Sequence, residues 1–154
     1  LVTKAGKYGN QEKKGNFFPS SFHTLEVLVM IDFKNPTAYK LAAADPSAYL
    51  AMLQPMMIPD EEIIQAYKTV RDAIVFTNRR IFAINLQGLT GKKKDISSLP
   101  YSKIQAFSVE TAGVLDIDSE LELWFSGLGK IRFEFAARTD VGALCRCIST
   151  YTLK

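Results

Sequence analysis

Cationic side chains in turns are the residues of this 154-residue chain whose types and spacing most directly suggest chemistry. They fall in or beside predicted turns and comprise Lys68, Arg71, Arg79, Arg80, Lys92, Lys93 and Lys94. Single charges in turns are usually solvated, but a group of them can attract an anionic lipid or an acidic partner. Near a membrane surface each contributes about 1 kcal/mol. The pattern therefore favours weak, salt-sensitive attachment over a firm anchor.

Residues for catalysis are scarce. The chain has one histidine, His23, and two cysteines, Cys145 and Cys147. The cysteines are too close for a CxxC redox pair, and helical residues two apart do not face each other. We expect a buried Cys145 and a partly exposed Cys147. Because no nucleophile elbow, P-loop or dinucleotide fingerprint occurs either, we expect no catalytic residue, no bound metal and no cofactor.

An acidic run offers the nearest approach to a metal site. It contains Asp116, Asp118, Glu120 and Glu122. The run lacks the glycine and the bidentate glutamate that a calcium-binding loop of EF-hand type requires. Alternation along a strand accounts for Glu120 and Glu122 as outward charges, so a solvated strand face is the preferred interpretation.

Composition limits the class of protein. Nineteen Lys and Arg against sixteen Asp and Glu give a net charge of +3, too small to predict a nucleic-acid partner. The 47% hydrophobic content excludes a wholly disordered chain. Two cysteines exclude a disulfide-built scaffold, and no apolar run approaches the length of a membrane span. We expect one domain in the cytoplasm, with peripheral membrane contact as the alternative.

Residues 1–24 have neither helical nor strand periodicity. Glycines, a proline and lysines interrupt residues 1–35, which are expected to form a flexible arm, a basic arm on an anionic surface, or sequence foreign to the domain before a start at Met30. Residues 36–54 are expected to be a helical lead-in. Asn35-Pro36 and Asp45-Pro46 are helix-start signals, predicting one helix through Ala38–Ala44 and another from Pro46 to about Leu53.

The lead-in is also rich in apolar side chains that suit contacts. The candidates for oligomer contacts are Tyr49, Met52, Leu53, Met56 and Met57, together with Trp124 further along the chain. Methionine adapts to irregular surfaces. Two interpretations stay open: this segment packs back on its own domain, or it packs on a neighbouring subunit.

Short strands follow from residue 63 onward. The predicted strands are 63–69, 72–77, 80–86, 92–97, 103–110, 120–126 and 130–135. The last two alternate most clearly, with Leu123 and Phe125 on a buried face and Trp124 outside. Across a three-residue glycine loop, Phe125 is expected opposite Ile131, which would put Trp124 opposite Arg132.

A C-terminal amphipathic helix completes the pattern. Thr139 is the expected N-cap. The apolar face is expected to hold Val141, Leu144, Cys145, Ile148 and Tyr151. Seven antiparallel strands and one helix predict a mainly β fold, a small barrel or sandwich closed at one end.

Several linked motifs resemble the bacterial pleckstrin-homology-like family. In chain order they are Phe76-Thr77-Asn78-Arg79-Arg80, Gln87-Gly88-Leu89-Thr90-Gly91-Lys92-Lys93, Pro100-Tyr101, Phe107–Gly113, and Asp118-Ser119-Glu120-Leu121 with Trp124. The resemblance covers residues 46–153. It implies the PH superfold, two packed antiparallel sheets of seven strands with a C-terminal capping helix, so residues 55–154 are expected to form a PH-like domain.

The resemblance implies a binding role more than an activity. Members are similar to interaction and scaffolding modules, and some assemble into rings, so we expect self-association and an unidentified protein partner. Phosphoinositide-binding PH domains carry a Lys/Arg-x-Arg signature after the first hairpin. Here that hairpin offers only Lys68 and Arg71, followed by Asp72, which disfavours specific inositol-phosphate recognition. Binding to an anionic membrane or acidic ligand remains the alternative.

Overall fold

The larger of two sheets has five strands. The computed structural model describes residues 40–87, 93–110 and 118–153. Neighbouring strands are antiparallel, and their spatial order follows the sequence. The strands are β1 (Ala42–Ala44), β2 (Ile63–Lys68), β3 (Asp72–Thr77), β4 (Arg80–Gln87) and β5 (Lys93–Pro100).

The second sheet contains the strands β6 (Ile104–Glu110), β7 (Ser119–Phe125) and β8 (Gly129–Phe135). Leu41 joins the two sheets through a parallel bridge to Phe135. The C-terminal helix α2 (Val141–Thr152) packs on the core between them. The predicted fold class, mainly β with two antiparallel sheets and a C-terminal helix, is confirmed, and β1 is an eighth strand among the described residues.

The prediction of a helix through Ala38–Ala44 is wrong for residues 40–44, the part of it that the structure describes. Ala42–Ala44 forms β1, which pairs with Ala66–Lys68 of β2. Alanine has the highest helix propensity of any residue, but propensity is worth less than about 1 kcal/mol per residue, and backbone pairing with the edge of β2 outweighs it here. A short helical segment does follow Asp45, whose carboxylate accepts a hydrogen bond from the Ser47 N–H at 2.9 Å. Its central turn is α1 (Leu50–Leu53), with a 3₁₀ turn on either side.

The β7–β8 hairpin has the predicted faces but a different register. Phe125 lies opposite Gly129 and Leu123 opposite Ile131, two positions away from the expected pairing. Gly127 and Gly129 have φ values of 77° and 85°, which shape the turn. A register shift of two residues leaves every side chain on the face predicted for it. Trp124 therefore stays outside, opposite Lys130 instead of Arg132.

Two expectations for α2 are corrected. The N-cap is Asp140, whose Oδ1 accepts a hydrogen bond from the Ala143 N–H at 2.9 Å, and Thr139 lies one residue earlier. Cys147 is buried and Cys145 is only half-buried, the reverse of the prediction. The buried residues Leu144, Cys147 and Ile148 have i, i+3, i+4 spacing, so the inward stripe is rotated away from Cys145.

Candidate functional site

The cationic residues predicted as one patch occupy opposite ends of the five-stranded sheet. Lys68 ends β2 and Arg71 lies in the β2–β3 turn, whereas Arg79 lies in the β3–β4 turn. The six residues of β3 separate these turns by about 20 Å. Lys93 and Lys94 begin β5 at the same end as Arg71. Lys92 is outside the described residues.

Arg80 is part of the internal structure. Its Nε donates to Glu61 Oε1 and its Nη2 to Glu61 Oε2, both at 2.9 Å. The guanidinium also lies 5.0 Å from the centroid of the Phe82 ring. Because these contacts use the charge, Arg80 has a structural role and contributes little to an anion-binding patch.

The buried carboxylate of Glu61 accepts four hydrogen bonds. Besides the two from Arg80, Oε1 accepts from the Thr77 hydroxyl at 2.8 Å and Oε2 from the Ile58 N–H at 3.0 Å. Burial acts to raise the pKa of Glu61, but the bonds from Arg80, Ile58 and Thr77 outweigh it and the pKa is lowered. The cluster attaches residues 58–61, which connect the lead-in to β2, to the β3–β4 turn.

The exposed tip of the β2–β3 turn combines charge with an apolar side chain. Val70 is 74% exposed between Lys68 and Arg71. The Thr69 hydroxyl oxygen accepts from the N–H groups of Arg71 and Asp72, at 3.2 and 2.9 Å, which holds the turn. Val70 is not among the residues that the sequence predicted for this site. An apolar residue flanked by cations in a predicted turn was the signal that could have found it.

A groove of about 620 Å³ opens beside this turn. Its apolar walls come from β1, the lead-in helix and the outer face of the sheet, and its rim carries cationic side chains. The residues that line it are Lys40, Ala42, Tyr49, Met52, Lys68, Thr69, Val70, Arg71, Asp72, Ala73, Ile84, Leu86 and Ala136. Sequence reasoning missed the groove because its walls come from distant segments.

The candidate oligomer residues of the lead-in pack mainly on their own domain. Leu53 is fully buried in an apolar cluster on the outer face of the sheet, with Val75 and Phe82. Partly buried residues packed on the same cluster include Tyr49, Met52 and Met57. The outward side of this segment keeps Leu50, Met56 and Ile58 between 40% and 49% exposed.

Trp124 lies half-buried on the outer face of the three-stranded sheet. The Lys130 ammonium sits 5.9 Å from the centroid of its ring, within the range of a cation–π contact. Lys130 also donates to Glu122 at 2.7 Å. Trp124, which was expected to contact another subunit, therefore already contacts Lys130, its cross-strand neighbour.

Strand β6 is the exposed edge of that sheet, pairing only with β7 among the described residues. Its core-facing Ile104, Phe107 and Val109 are only half-buried, although they pack against the core. On β7, by contrast, Leu121 and Leu123 are fully buried.

The acidic run is divided among ion pairs. Asp118 pairs with Lys40, Glu120 with Arg132 and Glu122 with Lys130. Asp116 and His23 lie outside the described residues. Within the described ranges, no group of three or more acidic, cysteine or histidine side chains could hold a metal ion. No helix in the same ranges is long and apolar enough to cross a membrane.

A family model described as the bacterial PH domain matches residues 32–152. The chain belongs to the bacterial PH domain family. The resemblance seen in the sequence motifs is therefore confirmed, and the family match begins before the segment those motifs covered.

Two relatives from Bacillus subtilis (strain 168) are similar to this chain, and both are described as uncharacterized proteins. YjqA is 50% identical over 72 residues, which are 47% of this chain and 58% of YjqA, so the match spans less than two thirds of that relative. YozO is 35% identical over 89 residues, 58% of this chain and 76% of YozO.

Solved structures agree with the fold. A DUF1696 family protein with a pleckstrin-homology domain from Shewanella loihica PV-4 matches with a TM-score of 0.66 and 38% identity, covering 73% of this chain and 97% of that one. A pleckstrin homology domain from Shewanella amazonensis SB2B gives a TM-score of 0.58 and 43% identity, covering 72% and 90% respectively.

Proposed function

We propose that this bacterial PH domain is a non-catalytic interaction module that associates with copies of itself through the β6 edge. The observation that supports the proposal is that the core-facing side chains of β6 are incompletely buried. Phe107 and Val109 face the core but stay half-buried, because no described strand lies beyond them. A strand added there would bury both side chains and satisfy the backbone groups of the edge.

Of the two edge strands of the other sheet, β1 and β5, the longer strand β5 is protected against strand addition. Strand β5 begins with Lys93 and Lys94 and ends with Pro100, residue types that discourage strand addition. The outward side chains of β6 include Ala106 and Ser108, which are small and exposed. The contrast favours β6 as the edge that accepts a partner.

A second copy is the proposed partner. Contact between β6 and a different surface of the next copy is heterologous, and such contacts close into a ring when the rotation between copies closes. Scaffolding of a further protein partner would then use the surfaces left outside that contact.

Light scattering coupled to size-exclusion chromatography tests this proposal. We expect an oligomeric mass for the unchanged chain at micromolar concentration and a lower mass for the double variant Ala106→Lys with Ser108→Lys. Met56→Lys, at an exposed lead-in position, is the matched control and should keep the oligomer. A monomeric unchanged chain overturns self-association. Dissociation by Met56→Lys alone overturns only the assignment to β6.

A second candidate function, peripheral binding to an anionic membrane, is favoured by the β2–β3 turn. Val70 projects from the same end of the sheet that carries Lys68, Arg71, Lys93 and Lys94. An apolar tip among cations suits an anionic interface, at about 1 kcal/mol for each cation.

Sedimentation with phosphatidylserine vesicles at low and high salt tests that candidate. We expect binding at low salt that falls when Lys93 and Lys94 are both changed to Gln. Arg79→Gln, at the far end of the sheet, is the control. Absence of sedimentation at low salt would exclude the membrane role and leave the self-association proposal intact.

A further inference from the structure

We propose that the groove beside β1 binds one monomeric long-chain carboxylate, a single alkyl chain with one anionic head. The proposal is independent of self-association and of membrane attachment. The groove volume of about 620 Å³ lies within the range of small-molecule sites, roughly 300 to 1,000 Å³. Such sites are mostly apolar with a few polar groups that orient the ligand.

The floor of the groove suits an alkyl chain. Tyr49 and Met52 line it from the lead-in, and Ile84 and Leu86 line it from β4. All four also pack on the outer apolar cluster, so the lining continues a solvent-poor layer. Burial raises the pKa of Tyr49, which keeps its phenol neutral. Met52 can adapt to a flexible chain.

The rim suits a single negative charge. Three cations, Lys40, Lys68 and Arg71, line the groove against one carboxyl group, Asp72. Lys40 is already paired with Asp118, and the charge of Arg71 acts on Asp72. Lys68 is exposed at the end of β2 and forms no ion pair with the described residues. We assign the head group to Lys68.

Apart from the Tyr49 hydroxyl, the lining provides few uncharged polar groups for a more polar ligand. The hydroxyl of Thr69 is occupied by the turn, as acceptor from two N–H groups and as donor to the Asp72 carbonyl. An apolar floor and one cation without an ion pair match an alkyl carboxylate better than a sugar phosphate or a polar peptide.

A titration of the full chain with methyl-labelled methionine tests the inference. The probes are octanoate, decanoate and dodecanoate, each below the concentration at which it forms micelles. We expect the Met52 methyl signal to shift, with the exposed Met56 as internal reference. Each two-carbon extension should tighten binding about tenfold. Dodecyltrimethylammonium, the cationic analogue, should bind at least tenfold more weakly than dodecanoate.

Paired variants locate the site. Ala42 lines the groove, while Ala43, next in the strand, faces the opposite side and is also exposed. Ala42→Phe should abolish the Met52 shift and Ala43→Phe should preserve it, with thermal melting confirming that both fold. Lys68→Gln should weaken dodecanoate binding several-fold, and Lys103→Gln should not.

Three outcomes would overturn the inference: binding insensitive to chain length, equal binding of the cationic analogue, or an undiminished Met52 shift in Ala42→Phe. Binding to phosphatidylserine vesicles without any response to monomeric dodecanoate would also overturn it, in favour of the membrane candidate. The oligomeric mass of Ala42→Phe, measured in parallel, reports on self-association separately.

Discussion

Glu61 and Arg80 face each other as a two-pronged ion pair, Nε to Oε1 and Nη2 to Oε2, each 2.9 Å. They lie nineteen positions apart in the sequence, and the pair joins the segment between α1 and β2 to the start of β4. The Glu61 side chain is fully buried and that of Arg80 is 19% exposed. The pair therefore holds the segment between α1 and β2 against the sheet, directly after the helical turns that form one wall of the groove.

Glu61→Gln is expected to lower the free energy of unfolding by about 2 to 3 kcal/mol, because Arg80 loses its charged partner in a buried setting. Urea denaturation at pH 7 measures the loss. Glu62→Gln, at the exposed neighbouring position, is the control and should change it by less than about 0.5 kcal/mol. Equal effects of the two variants would contradict the structural role of the pair.

The free energy of unfolding should depend on pH through the ionisation of Glu61. Its pKa in the folded chain lies below the ordinary value of 4.5. The folded state therefore binds this proton less tightly than the unfolded state, and the stabilisation is complete above about pH 5. It is lost as the pH falls below 4.5 toward the folded-state pKa. Urea titrations from pH 7 to pH 3 should show the free energies of unfolding of the unchanged chain and Glu61→Gln converging in acid. A difference that stays constant with pH would contradict a stabilising role of ionised Glu61.

Tyr101 supplies a second buried polar contact near the same turn. Its hydroxyl donates to the Thr77 carbonyl at 2.9 Å and lies 3.7 Å from Cys147 Sγ, and burial raises its pKa. Tyr101→Phe should cost about 1 to 2 kcal/mol, since the carbonyl is left without this donor. Tyr49→Phe, whose hydroxyl has no hydrogen bond to the described residues, is the control in the same denaturation assay.

The two cysteines should react with thiol reagents at different rates. Cys147 is buried and burial raises the pKa of its thiol, whereas Cys145 is half-exposed. A colorimetric disulfide reagent at pH 8 should label one thiol rapidly and the second only on unfolding. Cys145→Ser should remove the rapid phase and Cys147→Ser should retain it. The reverse assignment would show that α2 presents its other face to the core.

Local sequence pattern predicted some features and missed others for identifiable reasons. The alternation in β7 and β8 specified which side chains face inward, but not which residues lie opposite one another. Register depends on the turn, where Gly127 and Gly129 allow a three-residue loop between Phe125 and Gly129. The alanines of β1 likewise carry no local signal for strand, because the partner strand β2 lies about twenty residues further on.

For the candidate sites too, the sequence predicted some features and missed others. The number and type of cations were visible in the sequence, but their grouping was not. Arg79 and Arg71 are eight residues apart in the chain and lie at opposite ends of β3, while Lys93 and Arg71 share one end. The seven strands after residue 62 and the C-terminal helix followed from residue types and their period, and the family followed from the resemblance of linked motifs.

What the sequence by itself determined is therefore the class of fold and the inward or outward face of most strands, which depend on side-chain periodicity, and the family, which its linked motifs resemble. Only the tertiary structure decided that Arg80 is used internally by Glu61, that Cys147 and not Cys145 is buried, and that Lys68, Tyr49 and Leu86 border one groove. Those facts depend on register and on contacts between distant segments, which no local pattern specifies.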